Sequence, residues 1–272
     1  MIIPSTTLNN GVEMPLLGLG VYAPKQNDEV QSAIEWALEA GCRLIDTAAA
    51  YGNEREVADA IRSSGIPRSD IFITTKVWNE DQGYNKTIRA FNRSLERLSI
   101  DVVDLYLIHW PIKEHRHETW RALEKIYSDG RARAIGVSNH YPSHLDELLT
   151  QAQITPAINQ IELSPYSYLP EVLDYHHQKN IQTEGYAPLV RGEKQNDPKL
   201  VELAEKYEKS TYQLLIRWSL QHGVVTIPKS VKRERIQENF NVFDFTISDE
   251  DMALMDTFYD NTRIADDPRD IA

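Results

Sequence analysis

The chain has 272 residues, 41% of them apolar and 26% charged, which excludes a wholly disordered or collagen-like protein. Its 41 acidic and 29 basic residues give a net charge of −12, which argues against nucleic acid or an anionic membrane as partner. Cys42 is the only cysteine, so no intramolecular disulfide and no cysteine-based zinc site is expected.

The first residues, Met1 to Ser5, have no basic region and no apolar core, so no secretory signal is expected. No apolar run approaches the roughly 18 residues of a membrane helix; the best, Val102–Ile112, contains Asp104 and His109. These features together predict a cytoplasmic protein. The segment from Thr6 to Met14 carries an Asn-Gly turn between alternating residues and predicts a hairpin plugging one end of the fold. Predicted strands then fall at Leu16–Leu19, Arg43–Asp46, Ile71–Lys76, Val103–His109, Ala134–Ser138, Ile158–Ile161, Ile181–Tyr186 and Val224–Ile227. Between them, amphipathic periods predict helices at Asp28–Ala40, Glu54–Ser63, Lys86–Leu98, Thr119–Ser128, Ser143–Leu149, Pro170–Lys179 and Pro198–Glu208. Thr211–Gln221 reads as an extra helix before the last strand and Glu234–Phe240 as the helix after it. The acidic run from Ser248 caps a final helix reaching about Phe258, and the last dozen residues look loose.

Successive strands end 22 to 41 residues apart, about the length of one βα unit. Strict alternation of strand and helix demands a parallel sheet. Eight repeats predict one (β/α)8 TIM barrel domain over residues 1–272. Gly18-Leu19-Gly20-Val21-Tyr22-Ala23 matches a dinucleotide fingerprint. That fingerprint requires a helix to open at once, whereas Pro24 follows here, so the two glycines are read as close packing at a strand end.

Catalytic groups of such barrels gather at the C-terminal ends of the strands. Asp46, Lys76 and His109 end three consecutive apolar strands, and Tyr51 lies five residues beyond Asp46. A lysine cation favours the phenolate, so Lys76 is expected to bring the Tyr51 phenol down from its usual pKa of about 10 towards working pH. Asp46 keeps that lysine charged, and His109 orients a carbonyl oxygen. A carbonyl that takes a proton on oxygen must take a hydride on carbon, which asks for a nicotinamide cofactor. Lys229, Lys232, Arg233 and Arg235 form the densest basic cluster of an acidic chain, suited to a phosphate and a purine face.

Several motifs in order resemble the aldo-keto reductase family. They are Leu44-Ile45-Asp46-Thr47-Ala48 with Tyr51-Gly52-Asn53-Glu54, Ile73-Thr74-Thr75-Lys76-Val77-Trp78, and Asp104-Leu105-Tyr106-Leu107-Ile108-His109-Trp110-Pro111. Ile135-Gly136-Val137-Ser138-Asn139, Asn159-Gln160-Ile161-Glu162 and Ile227-Pro228-Lys229-Ser230 complete the series. The segment after the fourth strand and the run Arg233–Asn239 most resemble bacterial members such as the diketogluconate reductases. The resemblance implies NADPH-dependent reduction of aldehydes and ketones, with Asp46, Tyr51, Lys76 and His109 as catalytic tetrad and Tyr51 as proton donor. It places the nicotinamide amide at Ser138, Asn139 and Gln160, its ring against Tyr186, and the pyrophosphate near Leu189 and Gly192. It places the adenosine 2′-phosphate and adenine at Lys229, Ser230, Val231, Arg235, Glu238 and Asn239. Ala187 and Ser164 stand where many relatives have Ser and His.

Tyr22, Trp78 and Trp110 are expected to line the substrate pocket, and Trp36, Trp120 and Trp218 to pack in helices. His115 with His117, and His176 with His177, lie in a loop and a helix rather than at strand ends, so no metal is expected. A Schiff base on Lys76 is disfavoured because Asp46 keeps it charged. The expected partner is a small-molecule carbonyl substrate and the expected state a monomer. The alternative is a non-catalytic dinucleotide-binding redox sensor on the same fold.

Overall fold

The computed structural model describes residues 3–22 and 29–271. β1 (Ser5–Thr7) and β2 (Glu13–Pro15) pair antiparallel as the predicted hairpin. The other eight strands form one sheet in chain order: β3 (Leu19–Gly20), β4 (Leu44–Asp46), β5 (Phe72–Val77), β6 (Val103–Ile108), β7 (Ala132–Ser138), β8 (Ile158–Glu162), β9 (Gln182–Tyr186) and β10 (Val225–Ile227). Every neighbouring pair in it is parallel.

The sheet closes into a barrel where the first strand meets the last. Gly18 N–H donates to the Thr226 carbonyl at 2.9 Å, Thr226 N–H to Leu16 at 2.9 Å and Gly20 N–H to Pro228 at 3.2 Å. A Cβ on Gly18 would lie 2.4 Å from the Leu44 side chain, and one on Gly20 3.0 Å from the Ile227 carbonyl. The glycines therefore serve close approach at the seam, as expected. The regular strand starts at Leu19 rather than Leu16, because Leu17 contributes only an isolated bridge to Thr226.

Helices α1 (Glu29–Glu39), α2 (Glu54–Ser64), α3 (Tyr84–Leu98), α4 (Arg116–Ser128), α5 (Pro142–Leu149), α6 (Pro170–Gln178) and α7 (Pro198–Lys206) follow their strands. α8 (Thr211–Gln221) is the extra helix, α9 (Arg233–Phe240) follows β10, and α10 (Asp249–Asp256) comes last. The predicted start of α1 at Asp28 lies outside the described residues, as do Ala23 and Pro24. α4 begins three residues before the predicted Thr119, because Arg116 is buried, donating to Glu147 and to the Pro111 carbonyl at 2.8 Å each.

Side chains of a strand alternate between its two faces. Leu44, Phe72, Leu105, Leu107, Ala134, Ile158, Val225 and Ile227 point inward and pack on Leu8 and Met14 of the hairpin. Ile45, Ile73, Tyr106, Ile108, Ile135 and Val137 point outward under the helices. Asn9 donates to the Pro156 and Asn180 carbonyls at 3.0 Å each, and Asn10 to Arg133 at 2.9 Å. Pro156 and Asn180 precede β8 and β9 and Arg133 lies at the start of β7, so the hairpin plugs the N-terminal mouth. Continuing the inward parity towards the other mouth gives Asp46, Lys76, His109, Ser138, Gln160 and Glu184: an apolar floor carries a polar layer.

The expectation of a loose C-terminal end is corrected for the described residues. The Glu162 carboxylate accepts from the backbone N–H groups of Ile264 at 2.7 Å and Ala265 at 3.0 Å. Arg263 donates to the Tyr141 hydroxyl at 3.1 Å, the Arg269 guanidinium lies 5.0 Å from the Tyr141 ring centroid, and Pro268 is buried. The segment is strapped to the C-terminal mouth.

Candidate active site

Lys76 is fully buried at the end of β5, which no ammonium tolerates without compensation. Its Nζ donates to both oxygens of Asp46, at 2.7 and 2.8 Å, and to the Thr47 carbonyl at 3.0 Å. An ammonium has three N–H bonds, so all are engaged. The nitrogen also lies 5.2 Å from the centroid of the Tyr51 ring.

Tyr51 ends a short 3-10 turn, Ala49–Tyr51, fastened on both sides. Asn53 accepts from the Thr47 hydroxyl at 2.6 Å and donates to the Val21 carbonyl at 2.8 Å. Buried Glu54 accepts from the Thr75 hydroxyl at 2.6 Å and from Arg97 Nε at 2.6 Å. Loss of hydration, and then the charge of Asp46, push the Tyr51 phenol well above its ordinary value. The expected drop towards working pH is therefore overturned in this structure. The lysine is engaged by Asp46 and Thr47, so the nearer influences are burial and the Asp46 carboxylate. The phenol stays protonated.

His109 sits 5.7 Å from Tyr51, ring centroid to centroid. Burial, reinforced by Lys76, holds its imidazole well below the usual histidine range, so it is neutral. Trp78 packs edge-on against it at 5.1 Å, Trp110 stacks at 6.5 Å, and Tyr22 packs edge-on against Tyr51 at 5.0 Å. The three aromatics surround the tetrad. Tyr22 is 48% exposed and forms part of the rim.

Ser138 and Asn139, at the end of β7, and Gln160, on β8, are buried beside this group. Asn139 adopts a left-handed φ of 61° and donates to the His109 carbonyl at 3.0 Å and to Ser138 at 3.1 Å. Its amide oxygen accepts from the Tyr186 hydroxyl at 2.8 Å. Gln160 donates to Asp46 and to Glu184, both at 2.8 Å. Glu184 was missed in the sequence reading. Its one signal was a carboxylate inside a barrel strand, with the inward parity of Gln160.

Beyond β9, Ala187, Val190 and Arg191 all have left-handed backbones, followed by Gly192 at φ 83°. A β-branched Val in that region is a true outlier and marks a strained loop. Next to Gly192 stands the Tyr212 hydroxyl, and the Arg235 guanidinium lies 5.7 Å from the Tyr212 ring centroid. The loop bearing Leu189 and Gly192 is thus joined to α9. Lys229 and Arg235 are exposed, Ser230, Val231 and Glu238 half-buried, and Asn239 buried. Arg233 differs, because it pairs with Glu39 at 2.9 Å.

Trp120 and Trp218 are core residues, and Trp36 packs partly buried against the core. His176 is buried with both ring nitrogens engaged, by Asn159 and Thr183 at 2.8 Å each. His117 faces Glu147 at 3.7 Å.

The sequence profile of the Aldo/keto reductase family matches residues 16–260. The chain is 50% identical over 264 residues to a glyoxal reductase of Bacillus subtilis (strain 168), covering 97% of this chain and 96% of that protein. It is 49% identical over 265 residues to a 9,11-endoperoxide prostaglandin H2 reductase of Trypanosoma cruzi, covering 96% and 94%. Among solved structures, an aldo-keto reductase from a Medee basin deep-sea metagenome superposes with a TM-score of 0.95 at 43% identity, covering 98% of this chain and all of that one. A Bombyx mori aldo-keto reductase in complex with NADP superposes with a TM-score of 0.91 at 35% identity, covering 98% of this chain and 96% of that one. With this match across nearly its whole length, the chain belongs to the aldo/keto reductase family.

Proposed function

We propose that the protein reduces aldehydes and ketones to alcohols with NADPH, and that Tyr51 donates the proton. The observation that carries this reading is the convergence of a neutral phenol, a neutral imidazole and a buried Lys76–Asp46 pair at one barrel mouth walled by aromatics. The groups offered to the cofactor fit it: an amide pair at Asn139 and Gln160, the aromatic face of Tyr186, a strained loop at Leu189–Gly192, and the cations Lys229 and Arg235. Bound there, NADPH supplies the hydride.

The remaining chemistry belongs to the protein. A substrate carbonyl oxygen sits between the Tyr51 hydroxyl and His109, which orients it. Burial and the Asp46 carboxylate discourage an early phenolate, so Tyr51 holds its proton until charge develops on the substrate oxygen. The phenolate left behind faces the Lys76 ammonium. A positioned acid of this kind contributes about 10² to 10⁴ in rate.

NADPH is preferred over NADH because Lys229 and Arg235 offer charge to the extra phosphate. A charge-assisted hydrogen bond there contributes about 1.5 to 3 kcal/mol, or about 10- to 150-fold. Turnover is read as loss of reduced-nicotinamide absorbance with an aromatic aldehyde, using each dinucleotide. Arg235→Ala should weaken NADPH binding by that factor and NADH binding much less, in a fluorescence titration. Tight binding without turnover of any carbonyl supports the sensor reading instead, and equal binding of both dinucleotides contradicts the phosphate assignment.

A further inference from the structure

One carboxylate of the polar layer has no part in the chemistry just described. Glu184 lies on β9, wholly buried, in register with Gln160 on β8 and Val225 on β10. Its Oε2 accepts a hydrogen bond from Gln160 at 2.8 Å, and the same amide nitrogen donates to Asp46 Oδ2 at 2.8 Å. One amide thus bridges two buried carboxyl groups. Lys76 has no N–H left for Glu184, and Glu184 Oε1 is buried with no hydrogen-bond partner. A negative charge on Glu184 would be held by a single hydrogen bond next to the charge of Asp46. In such surroundings a carboxyl keeps its proton.

We propose that Glu184 is a positioning residue: as a neutral carboxyl it holds the Gln160 amide with both N–H groups on carboxyl oxygens, and so fixes Asp46 and Lys76 beneath Tyr51. The carbonyl oxygen of Gln160 is then the only atom of that amide left for a ligand, which makes it an acceptor for the N–H groups of a carboxamide. This rests on the reductase reading above.

The groups facing Glu184 are Asp46 from β4, Lys76 from β5, Gln160 from β8 and Tyr51 from the turn; β10 contributes apolar Val225. Burial first, then Asp46, push the Glu184 carboxyl up to about 8, with Gln160 and Lys76 opposing. Above that pH a second negative charge enters the layer. It opposes the phenolate that Tyr51 must form, so turnover falls on the alkaline side.

Three measurements test this. Infrared difference spectra of the protein alone, between about pH 7 and about pH 10, should show a protonated buried carboxyl that titrates away and is absent from Glu184→Gln. The alkaline fall of kcat should move to higher pH in Glu184→Gln, which keeps an acceptor for Gln160 and cannot ionise. Glu184→Met, which offers no acceptor, should bind NADP⁺ about tenfold more weakly than wild type, the worth of one hydrogen bond, with Glu184→Gln between the two. An infrared band that is missing from wild type or survives in Glu184→Gln overturns the proposal, as does a superimposable pH profile. If Glu184→Met does not fold, the two Glu184→Gln measurements decide. Failure of wild type to reduce any carbonyl overturns the reductase reading, whereas the infrared band tests Glu184 independently of it.

Discussion

At the scale of single residues, the Lys76 ammonium decides most of the site's electrostatics. With its three N–H bonds on Asp46 and Thr47, it balances a buried carboxylate, and its nitrogen lies 5.2 Å from the Tyr51 ring centroid. Lys76→Met therefore leaves Asp46 buried without its partner. Breaking a buried pair by removing one member costs about 3 to 5 kcal/mol, so this variant should lose stability on that scale in denaturant titration, as well as turnover. A variant of wild-type stability would show that the pair is not the main compensation for Asp46. Asp46, Lys76 and His109 were legible because each is polar at the end of an apolar strand. Glu184 was not, because it lies one turn of the alternation below the strand end, where apolar residues are expected. The direction of the Tyr51 shift was also hidden, since it depends on which acceptors Lys76 has already taken.

At the scale of elements, the order of strands and helices was legible from periodicity, and the boundaries moved where distant contacts intervene. Arg116 extends α4 because Glu147 and the Pro111 carbonyl receive its guanidinium. The C-terminal strap shows the same limit: its backbone N–H groups are held by Glu162, about a hundred residues earlier in the chain. Glu162→Ala removes both acceptors. The Ile264 and Ala265 amides should then exchange with solvent at least tenfold faster, as one hydrogen bond of about 1.5 kcal/mol implies, while amides of the barrel strands keep their protection. Unchanged exchange at these two positions would mean that the strap is held by Tyr141 and its arginines alone.

For the whole molecule, buried titratable groups set the pH dependence of stability. His109, His140 and His176 are held neutral chiefly by burial, His140 down to about 3 and His176 to about 4, against an ordinary value of 6.5. Their folded values are depressed, so below pH 6.5 the unfolded chain gains protons that the fold refuses, and stability drops as pH falls. Glu184 acts in the opposite sense: its folded value is raised from 4.5 to about 8, so stability drops as pH rises between those limits. Each proton is worth about 1.4 kcal/mol per pH unit. His144 is lowered and Glu162 raised in the same senses, so the histidines outnumber the glutamates below pH 6.5 and the glutamates alone act just above it. Denaturant titration across pH 5 to 8 should therefore show a maximum near pH 6.5, and His176→Gln should reduce the acid slope by about one proton. A stability that rises steadily from pH 5 to 8, or falls steadily, would contradict this assignment of buried neutral groups.

The central claim, that Tyr51 gives the proton in a carbonyl reduction, is tested most directly by Tyr51→Phe. This substitution removes one hydroxyl and keeps the ring that packs against Tyr22 and His109. Turnover of an aromatic aldehyde with NADPH should fall by at least about 10², the lower bound for a positioned acid, while fluorescence titration gives a dinucleotide affinity close to that of wild type. Retention of more than about a tenth of the wild-type kcat would contradict the assignment, which gives the proton to no other group among the described residues of this mouth.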